Sequence, residues 1–214
     1  MKIKAKAKYV LLFLIPHLFI YSLVQKIYQR NEYDFYTALD GLIPFIPEFI
    51  WIYHTLIPVI LFTTIILIKR KDCFFSAYIS CLLATVSLTI FYFLFPAYYP
   101  RGGLIEEITI SEWLVNWTRM IDDANNTFPS SHVTFSWLMF LSVVNCDFVK
   151  KYDIIKKLYI VWAILVAIST LFLKQHFIVD VGSGLILASL CYYFAKRISY
   201  NRFKIKKTKI YRNR

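Results

Sequence analysis

Charge is scarce in this chain, and negative charge most of all. Its 214 residues hold 13 Asp and Glu against 25 Lys and Arg, and both signs together make up only 18% of it. That little charge beside 58% hydrophobic and 19% aromatic residues excludes an ordinary water-soluble domain and points to a membrane protein. Cysteine is scarce as well. Cys73, Cys81, Cys146 and Cys191 form no C-x-x-C pair, so neither a disulfide framework nor a zinc site is indicated, and all four are expected to be packing residues. No internal repeat, low-complexity run or linker divides the chain, so residues 1–214 are expected to form a single membrane domain.

A formal net charge of +12 would suit a nucleic-acid binder if the basic residues lined a soluble face. Here they punctuate apolar runs, which fits membrane orientation and excludes nucleic acid as the expected partner. Six runs are long enough, or nearly so, to cross the hydrocarbon core: Tyr9 to Val24, Phe49 to Ile68, Phe74 to Phe95, Val133 to Val149, Leu158 to Leu173 and Phe177 to Ala195. The first follows four lysines like a signal peptide but lacks a small-residue cleavage site, so a retained helix is expected. With the N-terminus inside, twenty Lys and Arg fall on inner segments, nine of them in the basic tail 196–214. Only Lys26, Arg30, Arg101, Arg119 and Lys174 fall outside. The positive-inside rule therefore predicts an all-α bundle of six transmembrane helices with both termini cytoplasmic.

Polar residues with a chemical task should then gather at one face, and they do. Arg101 in "FPAYYPRGGL", the stretch "NNTFPSSHVTF" and the turn "STLFLKQHFIVD" all fall on the outer side. His176 and Asp180 are four apart at a helix start, where a carboxylate can fix the imidazole tautomer and raise its basicity. An unpaired ionised Asp180 one turn into the membrane would be costly, which argues for that partnership. Pro129 and Ser130 suit a helix start, whose amides also make a phosphate site, and His132 is placed to protonate a leaving oxygen. Two helix N-termini, Lys174 and Arg101 converging on one face would hold a phosphate group. His17 and His54 have no such carboxylate and are expected to be packing or interfacial residues. Asp122 and Asp123 are expected to form a solvated turn rather than a cation site. Gly182, Gly184 and Ala188 are expected to let the last helix pack closely.

Spaced this way, "PSSH" and "STLFLKQHFIVD" resemble the type-2 phosphatidic acid phosphatase superfamily, whose signature is K-x6-R-P, P-S-G-H and S-R-x5-H-x3-D. "DGLIPFIPEFIWIYH" and "STLFLKQH" look closest to the branch that includes inositol phosphorylceramide synthases, and the resemblance covers residues 39–195 as a catalytic core. It implies that His176 attacks phosphorus to give a phosphohistidine with Asp180 orienting it, that His132 protonates the leaving group, and that Ser130 and neighbouring amides hold phosphoryl oxygens. It implies no metal and no other cofactor. Three departures stand out: Leu94 occupies the lysine position before Arg101, Ser131 replaces a glycine, and Thr170 replaces an arginine. Lys174, four residues after Thr170, is the candidate to supply the missing cation.

The expected function is hydrolysis of a lipid phosphate ester or pyrophosphate at the non-cytoplasmic face, with membrane lipids as surroundings and the bacterial plasma membrane as location. An alcohol acceptor would instead make the protein a phosphotransferase through the same intermediate. A non-catalytic lipid binder or transporter is the third reading, though its polar residues would be expected near the bilayer midplane.

Overall fold

The structure, a computed structural model, describes residues 20, 22–24, 26, 32–147, 149 and 152–212, with residues 201–212 as backbone alone. The run Tyr9 to Val24 and its His17 thus lie mostly outside the described residues, although Ile20 and Val24 pack against the core. The described elements are helices: α1 (Ala38–Leu42), a 3-10 turn (Pro47–Phe49), α2 (Ile50–Tyr53), α3 (Leu56–Leu67), α4 (Lys71–Leu94), α5 (Ile110–Ile121), α6 (Ser131–Val144), α7 (Asp153–Phe172) and α8 (Ile178–Arg212). Among the described residues the extended pairing is confined to two isolated bridges, Tyr33 with Ala97 and Tyr98 with Asn125.

Among the described residues four helical segments are long and apolar enough to cross a membrane: Pro47–Leu67, Lys71–Leu94, Asp153–Phe172 and Ile178–Tyr200. The run expected from Val133 to Val149 is shorter than that. Helix α6 stops at Val144, where Asn145 donates its side-chain amide to Leu141 O. Its 14 residues span about 21 Å, well short of the ~30 Å hydrocarbon core. The short helix is viable because it is shielded by protein: α3, α4, α7 and α8 all pack against it. Leu138 and Met139 of α6 sit in a core completed by Leu88 and Tyr92 of α4, Ile60 of α3 and Ala188 of α8.

The apolar helices bury many hydroxyls, and each needs an acceptor. Thr64, Thr85, Thr134, Ser136 and Ser169 meet this need locally by donating to carbonyls three or four residues earlier in their own helices. Thr134 also reaches Gly184 O on α8 at 3.3 Å. That contact requires the backbones to approach closely. A Cβ on Gly184 would lie 2.9 Å from Ser130 O and 3.2 Å from Val133 Cβ, whereas Gly182 has open space around it. The close-packing role expected of both glycines therefore belongs to Gly184, with fully buried Ala188 one turn on.

The cysteine expectation is corrected in part. Cys73, in the first turn of α4, and Cys146, just past α6, form a disulfide with their Cα atoms 5.6 Å apart. Cys81 and Cys191 are free and buried. The pair is separated by 73 positions and joined only by the packing of α4 on α6, which is why no spacing pattern in the chain announces it.

Gly184→Ala should destabilise the protein by about 1–3 kcal/mol, the usual cost of overpacking against atoms that cannot move away, while Gly182→Ala should be neutral. Thermal unfolding of the two purified variants in one detergent checks this; equal midpoints would contradict the close-approach account.

Candidate active site

The site is assembled where the ends of three segments are laced together by backbone. Tyr99 N donates to Ala124 O, Thr127 N to Ala97 O, and Ser130 N to Asp180 O. These bonds join the Arg101 segment, the PSSH segment and the start of α8 before any side chain is considered.

His176 lies in the five-residue turn 173–177 between α7 and α8. Lys174 takes a left-handed conformation there, φ 55°, and the N–H groups of Gln175 and His176 both close onto Thr170 O at 2.9 and 3.3 Å. Thr170, standing where the superfamily signature has arginine, thus contributes a carbonyl to the turn. The His176 ring is 8% exposed. Its Nδ1 is 2.9 Å from Thr127 O and 3.5 Å from Asp180 Oδ2. A carbonyl oxygen can only accept, so Nδ1 carries the hydrogen and Nε2 keeps its lone pair in the neutral ring. Asp180 Oδ2 meanwhile accepts the Phe177 N–H at 2.8 Å, the third helical residue reaching back to cap the start of α8. Orientation of His176 is therefore shared, with the shorter contact coming from Thr127, a residue the sequence patterns do not single out.

His132 is the second residue of α6. Its ring stacks on Tyr53 with centroids 4.1 Å apart and planes at 24°, and its centroid is 6.3 Å from that of His176. Tyr53 is buried, with the Asp122 carboxylate at its hydroxyl. Asp122, expected in a solvated turn, is instead half-buried beside this ring, while Asp123 is exposed. Among the described residues no group of three or more His, Cys, Asp or Glu is gathered as a metal cluster would require.

Of the expected phosphate holders, Arg101 donates from Nη1 to Asp122 O at 2.6 Å, and its Nε is buried without a protein partner. Ser130 is fully buried. Its hydroxyl accepts the Val133 N–H as the cap of α6, and its own N–H is taken by Asp180 O. The helix start can therefore draw an anion here, and the capping bond uses only the oxygen of the hydroxyl, not its proton. Ser131 is buried beside the Tyr92 hydroxyl. Lys174 departs furthest from expectation: its ammonium donates to Asp40 O and Ile43 O, closing the end of α1. The cation proposed to replace the missing arginine is committed to backbone.

That contact is part of a strap, residues 32–49, whose role the sequence only hints at. Asp40 Oδ1 accepts the Ile178 N–H at 2.8 Å, and Ile46 N donates to Phe172 O at 3.0 Å, so the strap grips both sides of the His176 turn. Tyr99 stacks on Phe177 at 4.3 Å. Burial first, and then the Asp40 carboxylate, push its phenol up to about 12, so it stays neutral at working pH. His54 is a bridge between elements, as expected for a packing histidine, with Nε2 2.9 Å from Thr118 Oγ1 of α5.

Two imidazoles with centroids 6.3 Å apart, a half-buried guanidinium and two helix starts thus gather at one end of an apolar helical bundle. The PAP2 superfamily model matches residues 94–204, which include Arg101, His132, His176 and Asp180, and the chain belongs to that superfamily. Membership suggests phosphatase or phosphotransferase activity on phosphate esters. Comparison with curated proteins and with solved structures returns no match.

Lys174→Met and Arg101→Ala should separate two kinds of loss. Hydrogen bonds from a charged donor contribute about 1.5–3 kcal/mol, so Lys174→Met should lower the thermal midpoint by several degrees. Arg101→Ala should instead cost about 10²-fold or more in turnover, as removal of a charge-stabilising donor does, with a smaller change in midpoint. The reverse pattern would return Lys174 to the phosphate.

Asp180→Asn should keep the cap on α8, because its amide oxygen can still accept the Phe177 N–H, yet lose activity with the charge. Asp180→Ala should lose both, with about 1 kcal/mol of stability following the cap. Circular dichroism melts beside rates check the split; indistinguishable melts for the two variants would remove the capping role.

Proposed function

We propose that the protein is an integral membrane phosphatase that hydrolyses a lipid phosphate ester or pyrophosphate through a phosphohistidine on His176, at the non-cytoplasmic face of a bacterial plasma membrane, with both termini cytoplasmic. The observation that carries this is the pair of imidazoles 6.3 Å apart, one of them held through Nδ1 by an acceptor. A phosphorus about 3–3.5 Å from an attacking nitrogen fits between rings so spaced. His176 Nε2 attacks phosphorus, the P–O bond to the lipid breaks, and His132 gives its proton to the departing oxygen. Water then attacks phosphorus, with the now neutral His132 taking the water's proton, the P–N bond to His176 breaks, and phosphate leaves with the enzyme restored. Asp180 stabilises the charge that His176 gains on phosphorylation. Arg101 and the start of α6 neutralise the transferring group, a task that metal ions perform in other phosphoryl-transfer enzymes.

Transfer of the phospho-headgroup to an alcohol is the second reading. One observation favours it: the "DGLIPFIPEF" segment that suggested the inositol phosphorylceramide synthase branch grips the nucleophile's turn through Asp40 and Ile46.

Acid-quenched labelling with a ³²P lipid phosphate tests the roles. His176→Ala should lose turnover and label on every substrate. His132→Ala should fall by about 10²–10⁴-fold on a lipid ester, the usual worth of general acid catalysis, and recover in part on nitrophenyl phosphate, whose leaving group needs no proton. Activity should survive EDTA. Label retained in His176→Ala and lost in His132→Ala on both substrates would reverse the assignment. Rates with and without an added alcohol, following free phosphate and lipid products, decide between the two readings.

A further inference from the structure

Helix α5 is the part of the outer loops that the catalytic reading leaves unused. Thr109 caps it, with Glu112 closing a capping box. Its inner side, Ser111, Val115 and Thr118, is buried, and Val115 packs on Ile50, Tyr53 and Leu173. The exposed positions of the helix are Ile110, Trp113, Trp117, Met120 and Ile121, between 41% and 70% exposed and all apolar. Exposed charges lie beyond its ends, Glu106 and Glu107 before it and Asp123 after it. A loop helix bathed in water would carry such charges on its outer face. One with an apolar face, two tryptophans and charge only at its ends has the make-up of a helix lying in a membrane interface.

We propose that α5 lies flat in the lipid leaflet bordering the histidines, its Ile110, Trp113, Trp117, Met120 and Ile121 face sunk among headgroups and upper acyl chains. The proposal rests on the reading of the protein as a membrane enzyme. The α5 face continues the surface of a spanning segment: Trp51, itself exposed, donates its indole N–H to Ser111 Oγ at the start of α5. A second copy of the chain is the poorer occupant, because a 12-residue helix is about 18 Å long and 10–12 Å wide, far below the ~800 Å² per partner of a stable interface. Charge plays little part, since Glu106, Glu107 and Glu112 offset Arg101 and Arg119, so uncharged zwitterionic lipid suffices. Because Val115 touches Tyr53 and Tyr53 stacks on His132, this placement sets the histidine pair two side chains away from the lipid-facing helix. A phosphate on a lipid headgroup then reaches it sideways from the leaflet.

The full chain is reconstituted in phosphatidylcholine vesicles with a bimane-labelled cysteine introduced at Met120, at Asp123 or, as a lipid-facing reference, at Phe62 of α3. The native cysteines are disulfide-bonded or buried. Lipids brominated high on the acyl chain should quench the Met120→Cys label several-fold more than the Asp123→Cys label, and aqueous iodide should show the opposite order. Trp113→Cys, labelled likewise, gives the same reading if Met120→Cys does not fold. Iodide quenching at Met120 equal to that at Asp123 would put α5 in water and overturn the proposal. A label reached by neither quencher would mean that another copy covers the face, which overturns it too. The measurement needs no turnover, so a catalytically inert protein that gives lipid quenching refutes the phosphatase reading alone.

Discussion

The backbone contact between the starts of α6 and α8 is the constraint on which the site depends. Ser130 N–H meets Asp180 C=O, and one turn further Thr134 reaches Gly184 O across an approach that admits no Cβ. His132 and His176 are each within four residues of that junction. Two rings 6.3 Å apart need their helices fixed to a fraction of an ångström, and a glycine-mediated contact in a packed core provides this better than side-chain salt bridges could. The remaining helices enclose the contact, which explains why the shorter of its two helices, α6, is so well shielded by protein.

The charge pattern and the apolar runs made the helical membrane character legible, because lipid leaves a chain few alternatives to helices. Four runs reappear as long apolar helices. The run from Val133 gives a shorter helix, because hydropathy measures apolar character and cannot tell a helix facing lipid from one wrapped in protein. The disulfide was invisible for a related reason: Cys73 and Cys146 are neighbours only after α4 and α6 have packed.

At the site, the residue types were legible and their partners were not. Helical spacing brings Asp180 within 3.5 Å of His176, yet it also lets Asp180 cap its own helix, and spacing alone does not rank the two uses. Lys174 was drawn toward the phosphate by its distance from Thr170, but the left-handed turn at Lys174 itself aims the chain elsewhere, and carbonyls of α1 claim the ammonium. Tyr53 and Thr127 carry no catalytic signature. One acts by stacking and the other through its main chain, and neither use constrains a side-chain pattern that could be read along the sequence.

The Thr127 carbonyl has a consequence for how this protein tolerates genetic change. A side-chain partner of the nucleophile can be lost by one codon substitution, but every amino acid has a carbonyl, so no substitution at position 127 deletes the group that faces His176 Nδ1. Sensitivity moves to the positions that aim the carbonyl: Asn126, in a left-handed conformation that few residues adopt readily, and fully buried Ala97, where a larger side chain would displace the backbone that holds the Thr127 N–H. Inactivating alleles in this loop should therefore cluster beside position 127 rather than on it.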